Sequence, residues 1–224
     1  MTDVLVLAVD TSTRASIVAL GAGGPLAVSR RDVQHRHGSH VLEQIDEVLE
    51  TTGRALDEVG ALAVGTGPGS FTGLRVGLAT IKTMAYALAL PLVGIMSSDA
   101  LRLAGTRAGA AAEAAVVLPA GAHDHYLARP GVDPVLIAPG ELARELAGAP
   151  VLAIDMDPVL LGEEAVGHGR AALEGMPAAL LELAGARIAA GETDDIEQLT
   201  PAYVALPRGV KRAAEDLGWS PDLR

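Results

Sequence analysis

Apolar residues open this chain in three short runs, Val4 to Asp10, Ala15 to Leu20 and Leu26 to Arg31, with the turn Gly21-Ala22-Gly23-Gly24-Pro25 between the last two. Runs of that length, punctuated by Gly and Pro, predict strands joined by short turns and so an antiparallel start to a sheet. The period then changes. Gly38-Ser39 precedes Val41, Leu42, Ile45, Val48 and Leu49 on one helical face, with Glu43, Asp46, Glu47 and Glu50 on the other, which predicts a helix from Ser39 to Thr52 closed by Gly53. A strand Ala61 to Gly65, a helix Gly73 to Leu90, a strand Leu92 to Ile95 and a helix from Ser98 to about Thr106 complete the order βββαβαβα.

Beyond an alanine-rich junction, Ala108 to Ala115, the patterns shorten. Val116 to Leu118, Tyr126 to Arg129, Val135 to Ile137 and Val151 to Ile154 read as strands, Pro139 to Leu146 and Met176 to Ala190 as helices. The expected organisation is an N-terminal subdomain 1–106, a smaller C-terminal subdomain 107–206 and a flexible tail 207–224. No close sequence repeat joins the two halves.

The most informative segment is Gly65 to Gly77, Gly-Thr-Gly-Pro-Gly-Ser-Phe-Thr-Gly-Leu-Arg-Val-Gly, a glycine-rich turn between a strand and a helix. Glycines there permit positive φ and close backbone approach. Ser70 and Thr72 are N-cap candidates, and the free N–H groups of a first helical turn favour an anion or an oxygen-rich partner. The spacing is neither that of a dinucleotide fingerprint nor that of a Walker A loop.

Composition narrows the chemistry. The chain has 224 residues, half of them apolar, with one Phe, one Trp and three Tyr, so its core is packed from Leu, Val, Ile and Ala. It has no cysteine, which excludes disulfides and Cys-based zinc sites. No apolar stretch approaches the roughly 20 residues that span a bilayer, and no signal-type segment opens the chain, so a cytoplasmic protein is expected. Net charge is −11 and Lys82 and Lys211 are the only lysines. Affinity for nucleic acid comes largely from Lys and Arg on phosphates, so tight binding of RNA by this chain alone is not expected.

Asp10-Thr11-Ser12-Thr13, at the end of the first strand, offers an acid and three hydroxyls. Such a group either helps hold a metal-bound phosphate or satisfies its own turn; Asp10, Thr11, Gly69 and Ser70 are the candidates for a ligand. His35, His37 and His40 cluster before the first helix but lack the i, i+4 spacing of a helical metal pair, and no metal site is expected. His123 and His125 flank Asp124, on one face if the segment is a strand. No nucleophile stands out, because Ser70 lacks the Gly-x-Ser-x-Gly elbow. The helix from Gly73 is apolar around most of its circumference: Leu74, Leu78, Ile81 and Leu88 form a stripe, with Val76, Met84, Gly73, Gly77 and Thr80 beside it and Arg75 and Lys82 as its only charges. A helix of that kind is covered on nearly all sides, either by its own chain or by another subunit.

These residues resemble the TsaB (YeaZ) family of tRNA threonylcarbamoyladenosine biosynthesis proteins. The likeness rests on Leu7 to Thr13, His37 to Leu42, Gly67 to Gly77 and Leu92 to Ser98, and covers roughly the first 105 residues. In the second half, Pro119-Ala120-Gly121 stands where the family commonly has Asp-Ala-Arg. Pro201-Ala202-Tyr203-Val204 resembles its Pro-x-Tyr element, with Ala205 where an Arg is common. The resemblance implies an α/β protein of the actin/Hsp70/sugar-kinase (ASKHA) fold, with two βββαβα-type subdomains, the second smaller and degenerate. It implies a non-catalytic scaffold that pairs with and activates the catalytic subunit TsaD, together with the ATPase TsaE, in moving threonylcarbamoyl onto adenosine 37 of ANN-decoding tRNAs. There would be no intrinsic cofactor, ATP or ADP at most at the complex interface, tRNA contact only through the complex, and a homodimer in isolation through the same face. The helix from Gly73 to Leu90, with the helix from Ser39 to Thr52, would form that face, Gly73, Arg75, Val76, Gly77, Thr80 and Met84 being its contact residues, and replacing Val76 or Met84 with Asp would break it. Two other readings are a small phosphotransferase of the same superfold, with ATP on Asp10 and the Gly67–Gly73 turn, and, ranked last, a peptidase.

Overall fold

The computed structural model describes residues 4–32 and 40–204. The expectations for His35, His37, Ser39, Ala205 and the tail from 207 lie outside them. Strands β1 (Val6–Asp10), β2 (Ala15–Gly21) and β3 (Pro25–Asp32) form a meander in which β1 and β3 each pair antiparallel with β2. Parallel strands β4 (Ala61–Gly67) and β5 (Leu92–Met96) extend the sheet beyond β1, giving the order β3-β2-β1-β4-β5. The helices of this half are α1 (His40–Thr52), α2 (Phe71–Leu88) and α3 (Ser97–Arg107).

The second half holds β6 (Ala115–Ala120), β7 (Asp124–Ala128), β8 (Val135–Ile137), α4 (Leu142–Leu146), β9 (Val151–Ala153) and α5 (Pro158–Ala189). Its sheet has the order β8-β7-β6-β9, with β6 antiparallel to β7 and parallel to β9. Laid on the first sheet, β6 takes the place of β1 and β9 that of β4. The second sheet is thus a reduced copy of the first, a duplication invisible in the sequence because the pairing pattern is kept while the side chains are not.

Alternation sorts the strand residues between two layers. Leu7, Val9, Val18, Leu20, Leu62 and Val64 face α1 and α2. Val6, Ala8, Ile17, Ala19, Ala61 and Ala63 face α3 and α5. The side crowded by two helices and a second sheet carries the smaller residues. Val116, Leu118 and Leu152 close the same core from β6 and β9, while Val117, Leu127 and Ile137 face α4. The layers run α1/α2, first sheet, α3/α5, second sheet, α4.

The last helical span begins at Pro158 rather than near Met176, with a first turn set off from the rest by a break at Gly162, whose φ is 85°. Its start carries a recognisable signal, since Asp157 accepts a 2.9 Å hydrogen bond from the Val159 N–H and Pro158 occupies the first turn. Its glycines hide the apolar stripe. Gly169 lies so close to Ala153 that a Cβ would meet its backbone, and Gly175 packs against Ala104. Here glycine is the buried-face residue, which a hydrophobic pattern cannot register.

Candidate functional site

The glycine-rich turn and the Asp10–Thr13 turn pack directly on each other. Asp10 is fully buried. Its Oδ2 accepts a 2.5 Å hydrogen bond from the Ser97 hydroxyl, and its Oδ1 accepts the Ser12 N–H at 2.8 Å and the Ser12 hydroxyl at 2.7 Å. Ser97 Oγ in turn accepts the Gly67 N–H at 3.0 Å. Burial pushes the Asp10 carboxyl above its ordinary range, more than Ser97 and Ser12 pull it down. Thr11 donates to the Gly73 carbonyl at 2.7 Å, and the Ser70 N–H donates to the Ser12 carbonyl at 2.7 Å. A Cβ on Gly69 would strike the Ser12 backbone.

All four ligand candidates, Asp10, Thr11, Gly69 and Ser70, therefore meet in space, and they meet through Ser12, Gly73 and Ser97: Asp10 bonds to Ser12 and Ser97, Thr11 to Gly73, and Ser70 to Ser12 and Gly73, while Gly69 packs on the Ser12 backbone. Ser70 is the N-cap of α2, its Oγ accepting the Gly73 N–H at 3.1 Å, so the helix begins at Phe71 rather than Gly73. Ser97 is the member of this cluster that sequence reasoning missed; a serine directly after the apolar run of β5 was its only signal.

Helix α2 has two faces. Gly73, Leu74, Gly77, Leu78, Ile81 and Ala85 are buried in the chain's own core, with Gly73 and Gly77 against Thr11. Leu88, placed by its spacing on that stripe, is 39% exposed, and Ala85 fills its role. On the other side Thr72, Arg75, Ala79, Thr83 and Ala87 are exposed, with Tyr86 82% exposed, and Val76, Thr80 and Met84 half-buried at the edge. Of the six residues assigned to a partner face, Arg75, Val76, Thr80 and Met84 reach the surface, whereas Gly73 and Gly77 point inward.

The segment after α5 returns to this helix. Lys82 Nζ donates to the Leu199 carbonyl at 3.0 Å and to that of Glu197 at 3.3 Å. The Ala202 N–H donates to the Thr66 carbonyl at 2.8 Å. Tyr203 lies 5.3 Å from the Phe71 ring, and the Arg75 guanidinium sits over the same ring at 5.3 Å. Arg187 completes the tie by pairing with Asp194 at 2.9 Å and donating to the Gly94 carbonyl at 2.7 Å. Burial pushes the Asp194 carboxyl up, but Arg187 and the Gly94 N–H outweigh it and hold the group below its ordinary value.

The histidines described do not converge. His40 Nδ1 lies 3.3 Å from Glu43 Oε2, and His123 is exposed. His125 Nδ1 is buried with no hydrogen-bond partner among the described residues, and burial pushes its pKa down. Among the described residues, no group of three or more His, Asp or Glu could hold a metal ion, and no helix is long and apolar enough to cross a membrane.

Residues 28–141 match a family described as "TsaD: tRNA N6-adenosine threonylcarbamoyltransferase". Over 101 residues the chain is 41% identical to the tRNA threonylcarbamoyladenosine biosynthesis protein TsaB of Haemophilus influenzae, covering 45% of this chain and 43% of that one. The TsaB of Escherichia coli is 37% identical over 90 residues, covering 40% and 39%. The chain belongs to the TsaB (YeaZ) family. Its match spans less than half the length of these two TsaB relatives. A solved structure of YeaZ from Pseudomonas aeruginosa extends the TsaB likeness, with a TM-score of 0.66 at 27% identity, over 89% of this chain and 99% of that one. The fold of that YeaZ therefore holds through the second half, where the sequence likeness is weak.

Proposed function

We propose that this chain is a non-catalytic subunit in threonylcarbamoyladenosine biosynthesis, pairing with and activating the catalytic subunit TsaD, together with TsaE, and meeting tRNA only within that assembly. The observation that carries the reading is the exposed side of α2. Thr72, Ala79, Thr83 and Ala87 leave its surface nearly flat, Arg75 and Tyr86 rise from it, and Val76 and Met84 edge it with apolar atoms. Short side chains let a second helix approach closely, and Tyr and Arg are favoured anchors of interfaces. The same face would support a homodimer when no partner is present. The net charge of −11 agrees with a protein-binding rather than an RNA-binding role.

A phosphotransferase working through Asp10 would need that carboxylate at a substrate, yet both its oxygens are engaged inside the protein. Val76 and Met84 partly pack on the core, so Asp there would disturb the fold as well as the surface. Ala79→Glu and Tyr86→Asp are cleaner probes. Each variant is expected to keep its melting temperature, to lose co-purification with TsaD, and to lose stimulation of tRNA modification in a reconstituted system with TsaD and TsaE. Retained pairing in both variants, or modification that proceeds equally without the chain, would refute the proposal.

A further inference from the structure

In a chain this acidic, carboxylates are abundant, and the described arginines mostly find one. Arg31, Arg54, Arg102, Arg107, Arg129, Arg144 and Arg187 are each in an ion pair, while Arg75 covers the Phe71 ring and Lys82 holds two carbonyls. Three arginines among the described residues have neither an ion pair nor a ring. They are Arg14, Arg30 and Arg170, and all three line one cleft of about 620 Å³.

They come from three separate elements. Arg14 follows the Asp10–Thr13 turn. Arg30 lies in β3 between Ser29 and Arg31, which bond Glu47 and Glu43 of α1, so alternation turns Arg30 to the opposite side of the sheet, where α5 runs. Arg170 shares a face of α5 with Val166 and Leu173, at i, i−4 and i, i+3. The floor is formed where β9 runs into α5, from Ala153 to Pro158. The cleft thus lies past the carboxyl end of β9 and beside the turn that follows β1, between the two sheets.

Two acids share the cleft, but each has a backbone donor. Asp155 accepts the Arg14 N–H at 2.8 Å, and Asp157 caps α5. Neither is within ion-pair distance of the three guanidiniums. Met156, Pro158, Val166 and Leu173 supply an apolar wall beside them.

We propose that this cleft binds a phosphorylated small molecule of nucleotide size, its phosphates on Arg14, Arg30 and Arg170 and its apolar part against Met156, Val166 and Leu173. Guanidinium groups match phosphate oxygens in charge and in forked geometry, and the volume is that of small-ligand sites. This site is separate from the Asp10 cluster, whose groups are spent on one another, and it does not depend on pairing with TsaD.

Isothermal titration of the full chain alone, in metal-free buffer, tests the proposal with ADP as probe and pyrophosphate as comparison. ADP should bind saturably and more tightly than pyrophosphate. The double variant Arg30→Gln/Arg170→Gln should weaken ADP by about tenfold or more, the usual scale for losing charged hydrogen bonds. Arg31→Gln, on the other side of the same strand, should bind as the parent does. Absence of saturable ADP binding, equal affinity for pyrophosphate, or an unchanged double variant would overturn it. Because no partner protein or tRNA is present, failure here leaves the pairing proposal standing, and failure of pairing leaves this one standing.

Discussion

Gly73 lies against Thr11 with no room for a side chain: a Cβ would collide with the Thr11 carbonyl oxygen, and the Thr11 hydroxyl bonds back to the Gly73 carbonyl at 2.7 Å. Gly73→Ala should therefore cost about 1–3 kcal/mol, the range for forcing extra atoms into a packed interior. Urea unfolding measures it. Thr11→Val keeps the shape and loses the bond, so a smaller loss of about 1 kcal/mol is expected. A neutral Gly73→Ala would mean that the two turns can part.

Ser97→Ala leaves the buried Asp10 carboxyl short of a donor and frees the Gly67 N–H that Ser97 accepts. A cost of about 1–3 kcal/mol is expected near neutral pH. The sign with pH follows from burial. The folded state holds the Asp10 proton more tightly than the unfolded chain, so stability from this group falls as pH rises from 3.8 through the raised folded value, then levels. Ser97→Ala should carry that fall on to higher pH and Asp10→Asn abolish it, as read from denaturation midpoints from pH 3.8 upward.

Asp194 behaves in the opposite sense. Its folded pKa is lowered, so its contribution is fully present above the ordinary value of 3.8 and is lost as pH drops through the lowered folded value. Asp194→Asn should remove this acid-sensitive part and loosen the residues after α5. Faster amide exchange at Gly94, whose N–H donates to Asp194 at 2.6 Å, would report it directly.

Gln44 is the one fully buried polar side chain of α1. Its Nε2 donates to the Ser16 and Ser29 carbonyls, both at 3.1 Å, and its Oε1 accepts the Ser16 hydroxyl at 2.7 Å. Gln44→Leu strands all three groups without shrinking the side chain, and a loss of about 2–4 kcal/mol is expected from desolvated groups left unpaired. Thermal unfolding of this variant beside Gln44→Glu separates shape from bonding.

Where apolar residues run on without a break, as in β1, β2 and β4, the element was legible to within two residues. In α1 Val41, Ile45, Val48 and Leu49 are buried as expected, but Leu42 is 61% exposed and Gln44 takes its place, held by bonds that a hydrophobic pattern does not record. The start of α5 was lost because its contact residues, Gly169 and Gly175, carry no hydrophobic signal while doing the same packing work as leucines. The gathering of Asp10, Thr11, Gly69 and Ser70 followed from two turns at the ends of neighbouring parallel strands. That their polar atoms close on one another did not follow, since it depends on Ser97, far along the chain and delivered by β5. The arginine cleft was illegible for a simpler reason: Arg14, Arg30 and Arg170 are 16 and 140 positions apart, and only the duplicated topology brings them together.

Helix α5 follows β9 in the chain, yet its buried residues, from Ala172 to Ala184, cover the inner face of the first sheet at Ala8, Ile17, Ala19 and Ile95. During synthesis α3 alone is there to cover that face until the ribosome has passed residue 184, long after all five strands of its sheet exist. A nascent chain halted before then would display a broad sticky surface to other nascent chains and to chaperones. For this protein, the order of translation itself sets the interval of greatest risk.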